Sequence, residues 1–217
     1  MIERRRFLTL AAGLAATAPL GLARAEDGTA RRVFRVLRDG SDIGTHVLSA
    51  SRTDKHFEMA IDIDIRVKLL GITAYRYTLK NREVWDDGIL TSIDSEVDDD
   101  GDTEFAKVRR AGDMLEVDGS GYSGTAPLDA VPTSYYARPF IERRPWLSTQ
   151  SGKLLTIDVA AAPDEARTFN VKGELETTLI YDAAGEWVGC RFDAGGEPGA
   201  YEIIESNGAI TPLWQSA

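Results

Sequence analysis

A chain of 217 residues with 25 Lys and Arg against 35 Asp and Glu has a formal charge of −10, which argues against nucleic acid and anionic lipid surfaces as partners. One cysteine, Cys190, excludes an intramolecular disulfide, and the length suffices to bury a substantial core without that staple. The sequence has no CxxC, H-E-x-x-H, G-x-S-x-G or glycine-rich phosphate loop, so the commonest thiol, metal, serine-hydrolase and nucleotide chemistries have no motif here.

The chain opens Met1-Ile2-Glu3-Arg4-Arg5-Arg6-Phe7-Leu8 and runs through Ala, Gly and Leu to Ala23-Arg24-Ala25. A basic head, a short apolar stretch and small residues at an A-x-A site are the parts of a cleavable export signal. Arg4-Arg5 before Phe7-Leu8 resembles the twin-arginine motif, and Arg24 beside the cleavage site suits that route. The apolar stretch 7–22 is too short and too often broken to span a membrane. Residues 1–25 are therefore expected to be a removable signal, with the twin-arginine translocase as export partner and the periplasm as destination. No Cys follows the cleavage site, so no lipid membrane anchor is expected. Residues 26–217 are expected to form a single β-rich domain. The signal carries four Arg against Glu3, so the domain itself is more acidic, near −13.

The first strand is expected at 33–37, ended by Asp39-Gly40, and the second at 43–52, with Ile43, Thr45 and Val47 on one side. Residues 57–69 carry the clearest signal. Phe57, Met59, Ile61, Ile63, Ile65, Val67 and Leu69 alternate with mostly charged residues, the pattern of a half-buried strand roughly 40 Å long. Gly71 turns the chain, and 73–85 returns with Tyr75, Tyr77, Leu79 and Trp85 on one parity. A turn centred there sets Tyr75 opposite Val67, Tyr77 opposite Ile65, Leu79 opposite Ile63 and Asp62 opposite Lys80. It also sets Arg66 against Arg76, with Asp64 near enough to relieve the repulsion.

Asp87-Gly88, Asp100-Gly101, Gly112-Asp113, Asp118-Gly119 and Gly185-Glu186 punctuate further strands at 89–97, 105–110, 114–117, 154–160, 168–171, 174–181, 187–192 and 201–204. Residues 120–150 differ: Pro127, Pro132, Pro139 and Pro145 mark an excursion across the sheet. There Thr133-Ser134 can cap a short helix through 135–137. The fold class is all-β and mainly antiparallel: a single curved sheet with long strands, closing as a barrel or half-barrel, with one short helix or proline-rich excursion.

Several stretches together resemble an uncharacterised family of exported bacterial proteins, a domain of unknown function. They are Asp39-Gly40 with Ile43-Gly44-Thr45-His46, Tyr75-Arg76-Tyr77 with Asn81-Arg82-Glu83-Val84-Trp85, and Asp87-Gly88 with Leu90. The others are Asp94-Ser95, Asp99-Asp100-Gly101, Pro132-Thr133-Ser134-Tyr135-Tyr136, Gln150-Ser151-Gly152-Lys153-Leu154 and 181–189. The resemblance implies no activity. In architecture the chain looks similar to lipoprotein-carrier-like periplasmic proteins, an analogy of fold that does not fix function.

Chemistry is thin. His46 and His56, even with Glu58 or Asp54, fall short of a metal site, and histidines at a hairpin surface are the plainer reading. Seven acids between Asp94 and Glu104 mimic the start of a calcium loop, but Lys107 stands where a bidentate Glu is needed, and a solvated turn is expected. Cys190 reads as a small core residue. No cofactor is expected. The aromatic set is more suggestive: Phe57, Met59, Ile61, Ile63, Ile65, Tyr75, Tyr77 and Trp85 from the strands, with Tyr135, Tyr136, Phe140 and Trp146 from the excursion, are candidate ligand-binding residues. Arg138, Arg143 and Arg144 are candidates for charge at the mouth. Alternatively the same residues are filled core. Three functions stay open: a carrier of a small apolar or amphipathic molecule, an assembly factor binding another protein, or an enzyme in which carboxylates or His46 converge.

Overall fold

The alternation at 57–69 requires a hydrogen-bonded partner on each side, and the chain supplies both in sequence order. The computed structural model describes residues 28–69 and 71–215; the expected signal lies outside them. Eight strands follow one another: β1 (Gly28–Arg38), β2 (Ser41–Thr53), β3 (His56–Leu69), β4 (Ile72–Asp86), β5 (Ile89–Asp99), β6 (Asp102–Ala111), β7 (Met114–Gly119) and β8 (Ser123–Pro127). Each pairs antiparallel with the next. The excursion holds β9 (Val131–Pro132), a 3-10 helix (Arg138–Glu142), β10 (Trp146–Leu147) and β11 (Leu154–Leu155). Then come β12 (Ile157–Ala161), β13 (Thr168–Gly173), β14 (Thr177–Tyr181), β15 (Trp187–Asp193), β16 (Pro198–Asn207) and a terminal helix α1 (Ile210–Gln215).

The two runs join where β16 pairs with β1, giving one curved 13-stranded sheet in the order β12-β13-β14-β15-β16-β1-β2-β3-β4-β5-β6-β7-β8; β9, β10 and β11 form a small second sheet. The β3–β4 register is the expected one: Val67 faces Tyr75, Ile65 faces Tyr77, Ile63 faces Leu79 and Asp62 faces Lys80. Arg66 faces Arg76 and donates to Asp64 at 2.9 and 3.1 Å, which relieves the like-charge pair.

Local chemistry sets the turns. Asp39-Gly40, Asp87-Gly88 and Asp100-Gly101 all take positive φ, as two-residue turns with the hand of the strand twist require. Bulges after Val33, Val36, Val67 and Val84 bend the long strands. At Gly44 a Cβ would lie 2.0 Å from the Asp64 carbonyl oxygen, so no side chain fits there between β2 and β3.

The inward parity of β1 to β7 and the excursion form one apolar cluster that includes Phe34, Leu48, Phe57, Met59, Trp85, Leu90, Ile93, Tyr136, Phe140 and Trp146. The excursion therefore covers the apolar face of the sheet, as expected, but its helical turn begins at Arg138 and not at Thr133-Ser134. Pro139 is the second residue of that turn, where its fixed φ suits the helix start and its missing N–H costs nothing. The remaining helix, α1, has no counterpart in the sequence reading. It is docked by Glu186, whose carboxylate accepts from the Ile210 and Thr211 N–H groups at 3.1 and 2.6 Å and pairs with buried Arg32 at 2.9 Å. Trp214 then stands edge-on to Trp85 and Phe140.

Candidate functional site

Between the excursion and strands β2, β3, β4, β6 and β16 lies a cavity of about 370 Å³. Its apolar lining is Ile61, Ile63, Leu79, Leu155 and Leu175. Its polar lining comes from both walls: His46, Tyr77, Glu104 and Tyr201 from the sheet, and Thr133, Ser134, Tyr135, Ser148, Thr149, Gln150 and Ser151 from the excursion, with Lys153 and Glu174 beyond.

His46 shares the inward parity of β2 with Leu48 and Ala50 and lies opposite Ile63 on β3 and Phe34 on β1. Its ring stands edge-on to Trp187 and Tyr201, each at 5.4 Å between centroids, and to Phe34 at 6.0 Å. The residue is only 4% exposed, and among the described residues neither ring nitrogen has a hydrogen-bond partner. Burial lowers its pKa to about 3, so the imidazole is neutral, with one N–H to give and one lone pair to receive. An unsatisfied buried polar group costs about 1–3 kcal/mol. A ring aimed at a cavity recovers that cost when something polar enters.

Tyr135 takes a φ of 34°, an uncommon region for a bulky residue, and its carbonyl is held by the Tyr181 hydroxyl at 2.8 Å. Burial pushes the phenols of Tyr77, Tyr135 and Tyr201 well up, so all three keep their protons. Glu104 places one carboxylate oxygen, Oε2, in a buried position without a hydrogen-bond partner. Lys153 donates to Glu174, whose second oxygen accepts from the Thr156 N–H at 2.7 Å. Ser134 reaches the other way as well: with Tyr136 and the Trp85 indole it faces the enclosed carboxyl of Glu83, which accepts from Asn81 Nδ2 at 2.8 Å. Burial outweighs those donors and raises the Glu83 pKa to about 7.

The twelve candidates from the sequence divide three ways. Ile61, Ile63, Tyr77 and Tyr135 line this cavity. Ile65 and Tyr75 line a separate hollow of about 480 Å³ further along the β3–β4 hairpin, with Ile43, Val67 and Phe192. Phe57, Met59, Trp85, Tyr136, Phe140 and Trp146 are fully buried. Trp85 stacks on Phe140 at 5.5 Å and Phe140 meets Tyr136 at 4.9 Å, so these rings fill core where they were expected to wall a pocket. The arginines are elsewhere too: Arg138 pairs with Glu142, and Arg144 lies over the Trp146 ring.

Sequence reasoning missed the polar half of the site. His46 was read as a hairpin-surface histidine near His56, but the β2–β3 register sets it opposite Ile63 and leaves His56 exposed beside Asp86. Glu104 was read as part of a solvated turn; that turn exists, with Gly101 N–H donating to Asp98, but Glu104 sits on β6 and its carboxylate reaches inward. Among the described residues no group of three or more His, Cys, Asp or Glu side chains is placed to hold a metal ion. Burial pushes the Cys190 thiol up to about 12, which leaves it unreactive.

Comparison with known proteins gives the chain a fold relative and a family. A search of the curated proteins finds no match. Among solved structures, the chain is similar to a β-barrel-like protein of domain of unknown function DUF1849 from Brucella abortus, with a TM-score of 0.54 and 9% identity over 82% of this chain and 97% of that one. At that identity the likeness concerns the fold alone. A family model matches residues 34–204, from β1 to β16, and the chain accordingly belongs to the domain of unknown function family DUF6134.

Proposed function

We propose that this protein is an exported binding protein that holds one small amphipathic molecule in the cavity beside His46. The observation that carries the reading is His46, which lines the cavity, is enclosed by Phe34, Trp187 and Tyr201, and has both ring nitrogens buried and unpaired among the described residues. A volume of about 370 Å³ suits a small molecule, since such sites usually span about 300–1,000 Å³. Leucine and isoleucine side chains mixed with hydroxyls from both walls favour a ligand with an apolar body and a polar head over a purely apolar lipid chain. The Arg4-Arg5 motif and Ala23-Arg24-Ala25 support the periplasm as its place of action, reached through the twin-arginine translocase.

Native mass spectrometry of the exported protein tests this. The expected spectrum contains a small co-purifying mass, lost on denaturation and lost in an Ile63→Trp variant whose new ring fills the cavity while circular dichroism stays unchanged. A wild-type protein that carries nothing and takes up no amphipathic probe would refute the binding function.

A further inference from the structure

We infer that the head group this cavity takes is a cation: the ligand is a small organic ammonium with an apolar body. The inference rests on the binding function above and narrows it by charge. Three charged side chains line the cavity, namely Glu104, Lys153 and Glu174. Lys153 and Glu174 neutralise each other in a direct hydrogen-bonded pair at the rim. Glu104 remains, with its Oε2 buried and unpartnered. His46 is neutral and adds no positive charge. The wall therefore carries one uncompensated negative charge, and an anionic head group entering it meets repulsion with no cation free to answer.

The rest of the lining fits the same sign. Tyr77, Tyr135 and Tyr201 bring three phenol rings to the wall, and the faces of such rings attract ammonium groups within about 6 Å. Tyr77 and Glu104 are close enough to interact electrostatically, so a phenol ring and a carboxylate lie near each other in the lining. The His46 lone pair and the Ser134 hydroxyl offer further acceptors to a primary ammonium, which has three protons to donate. Outside, the β5–β6 turn sets Asp98, Asp99, Asp100 and Asp102 on the hairpin that carries Glu104, an approach field that draws cations and turns anions away.

The test uses three probes sharing one body: 4-phenylbutylamine, 4-phenylbutan-1-ol and 4-phenylbutanoate, titrated at pH 7 against the mature protein by calorimetry and by its tryptophan fluorescence. The expected order is amine first, by ten-fold or more over the alcohol, and carboxylate last. Glu104→Gln, which keeps the shape and removes the charge, should weaken the amine about ten-fold and leave the alcohol within two-fold; Glu104→Asp should restore part of the loss. Equal affinity for amine and alcohol, a preference for the carboxylate, or no binding of the amine overturns the inference. If alcohol or carboxylate binds and Ile63→Trp abolishes that binding, the binding function survives and only the cation assignment falls. Amine binding that persists in both Ile63→Trp and Glu104→Gln places the amine outside this cavity and ends the cation assignment; if no probe's binding is lost in Ile63→Trp, the binding function falls with it.

Discussion

The interior has two ends that solve the same problem differently. At one end Trp85, Tyr136, Phe140 and Trp214 interlock, and the enclosed carboxyl of Glu83 accepts from Asn81 through one oxygen while the rings pack closely round it. At the other end His46 is just as enclosed, but among the described residues neither of its ring nitrogens has a partner. A buried polar group supplied with partners belongs to the scaffold. One left without them beside open space is a place prepared for something else.

The sharpest way to break this contrast is by cavity cost. Trp85→Ala at the interlocked end should lose about 3–5 kcal/mol, whereas Ile63→Ala at the open end should lose about 1 kcal/mol, because Ile63 is only partly packed. Chemical denaturation of both variants compares them directly, and similar losses would mean that the two ends are equally filled.

The next effect is pH-dependent and belongs to the open end. Folded His46 stays neutral down to about 3, while the unfolded ring takes a proton near its ordinary 6.5. Stability from this residue is thus fully present above pH 6.5 and is lost as pH falls toward 3. His46→Phe removes that loss, so at pH 4 the variant should exceed the wild type by on the order of 3 kcal/mol. A wild type and variant that lose stability in parallel on acidification would show that the ring has a proton partner after all.

Glu83 supplies a smaller effect of opposite sign. Its folded pKa of about 7 lies above the ordinary 4.5, so the folded carboxyl keeps a proton that the unfolded one has released. Its contribution is complete below pH 4.5 and falls as pH rises through 7. Glu83→Gln cannot lose that proton and should gain on the order of 2 kcal/mol at pH 8, with little change at pH 4. Thermal melts across that range check the sign, and a variant destabilised at pH 8 would show that the ionised carboxylate is what the surrounding donors require.

Much of the sheet could be read from the chain because its causes are local. Alternation fixes which residues of 57–69 face inward, and Gly71 fixes the β3–β4 pairing, down to the Arg66–Arg76 contact and its relief by Asp64. The two-residue strands β9 and β10 and helix α1 were not legible. They are held by remote groups: Val131 donates its N–H to the Pro145 carbonyl, and α1 starts on a carboxylate 24 residues earlier in the chain. The site was half legible for a related reason. A period-two reading sends polar residues to solvent: it found Ile61, Ile63 and Tyr77, and the aromatic run of the excursion supplied Tyr135, but neither placed His46 or Glu104, which break the rule where the molecule has its candidate function.

The seam between β1 and β16 sets a condition on biogenesis. β1 is an inner strand, bonded to β2 on one edge and to the last strand of the chain on the other, with Arg31 aligned to Asn207. While the ribosome is still making the chain, that second edge has no neighbour, and such long-range closure is slow. The sheet is thus joined only once β16 has been made, so a chain cut short anywhere before β16 keeps a raw edge beside β1. Folding here reports on whether the chain runs intact from β1 to β16.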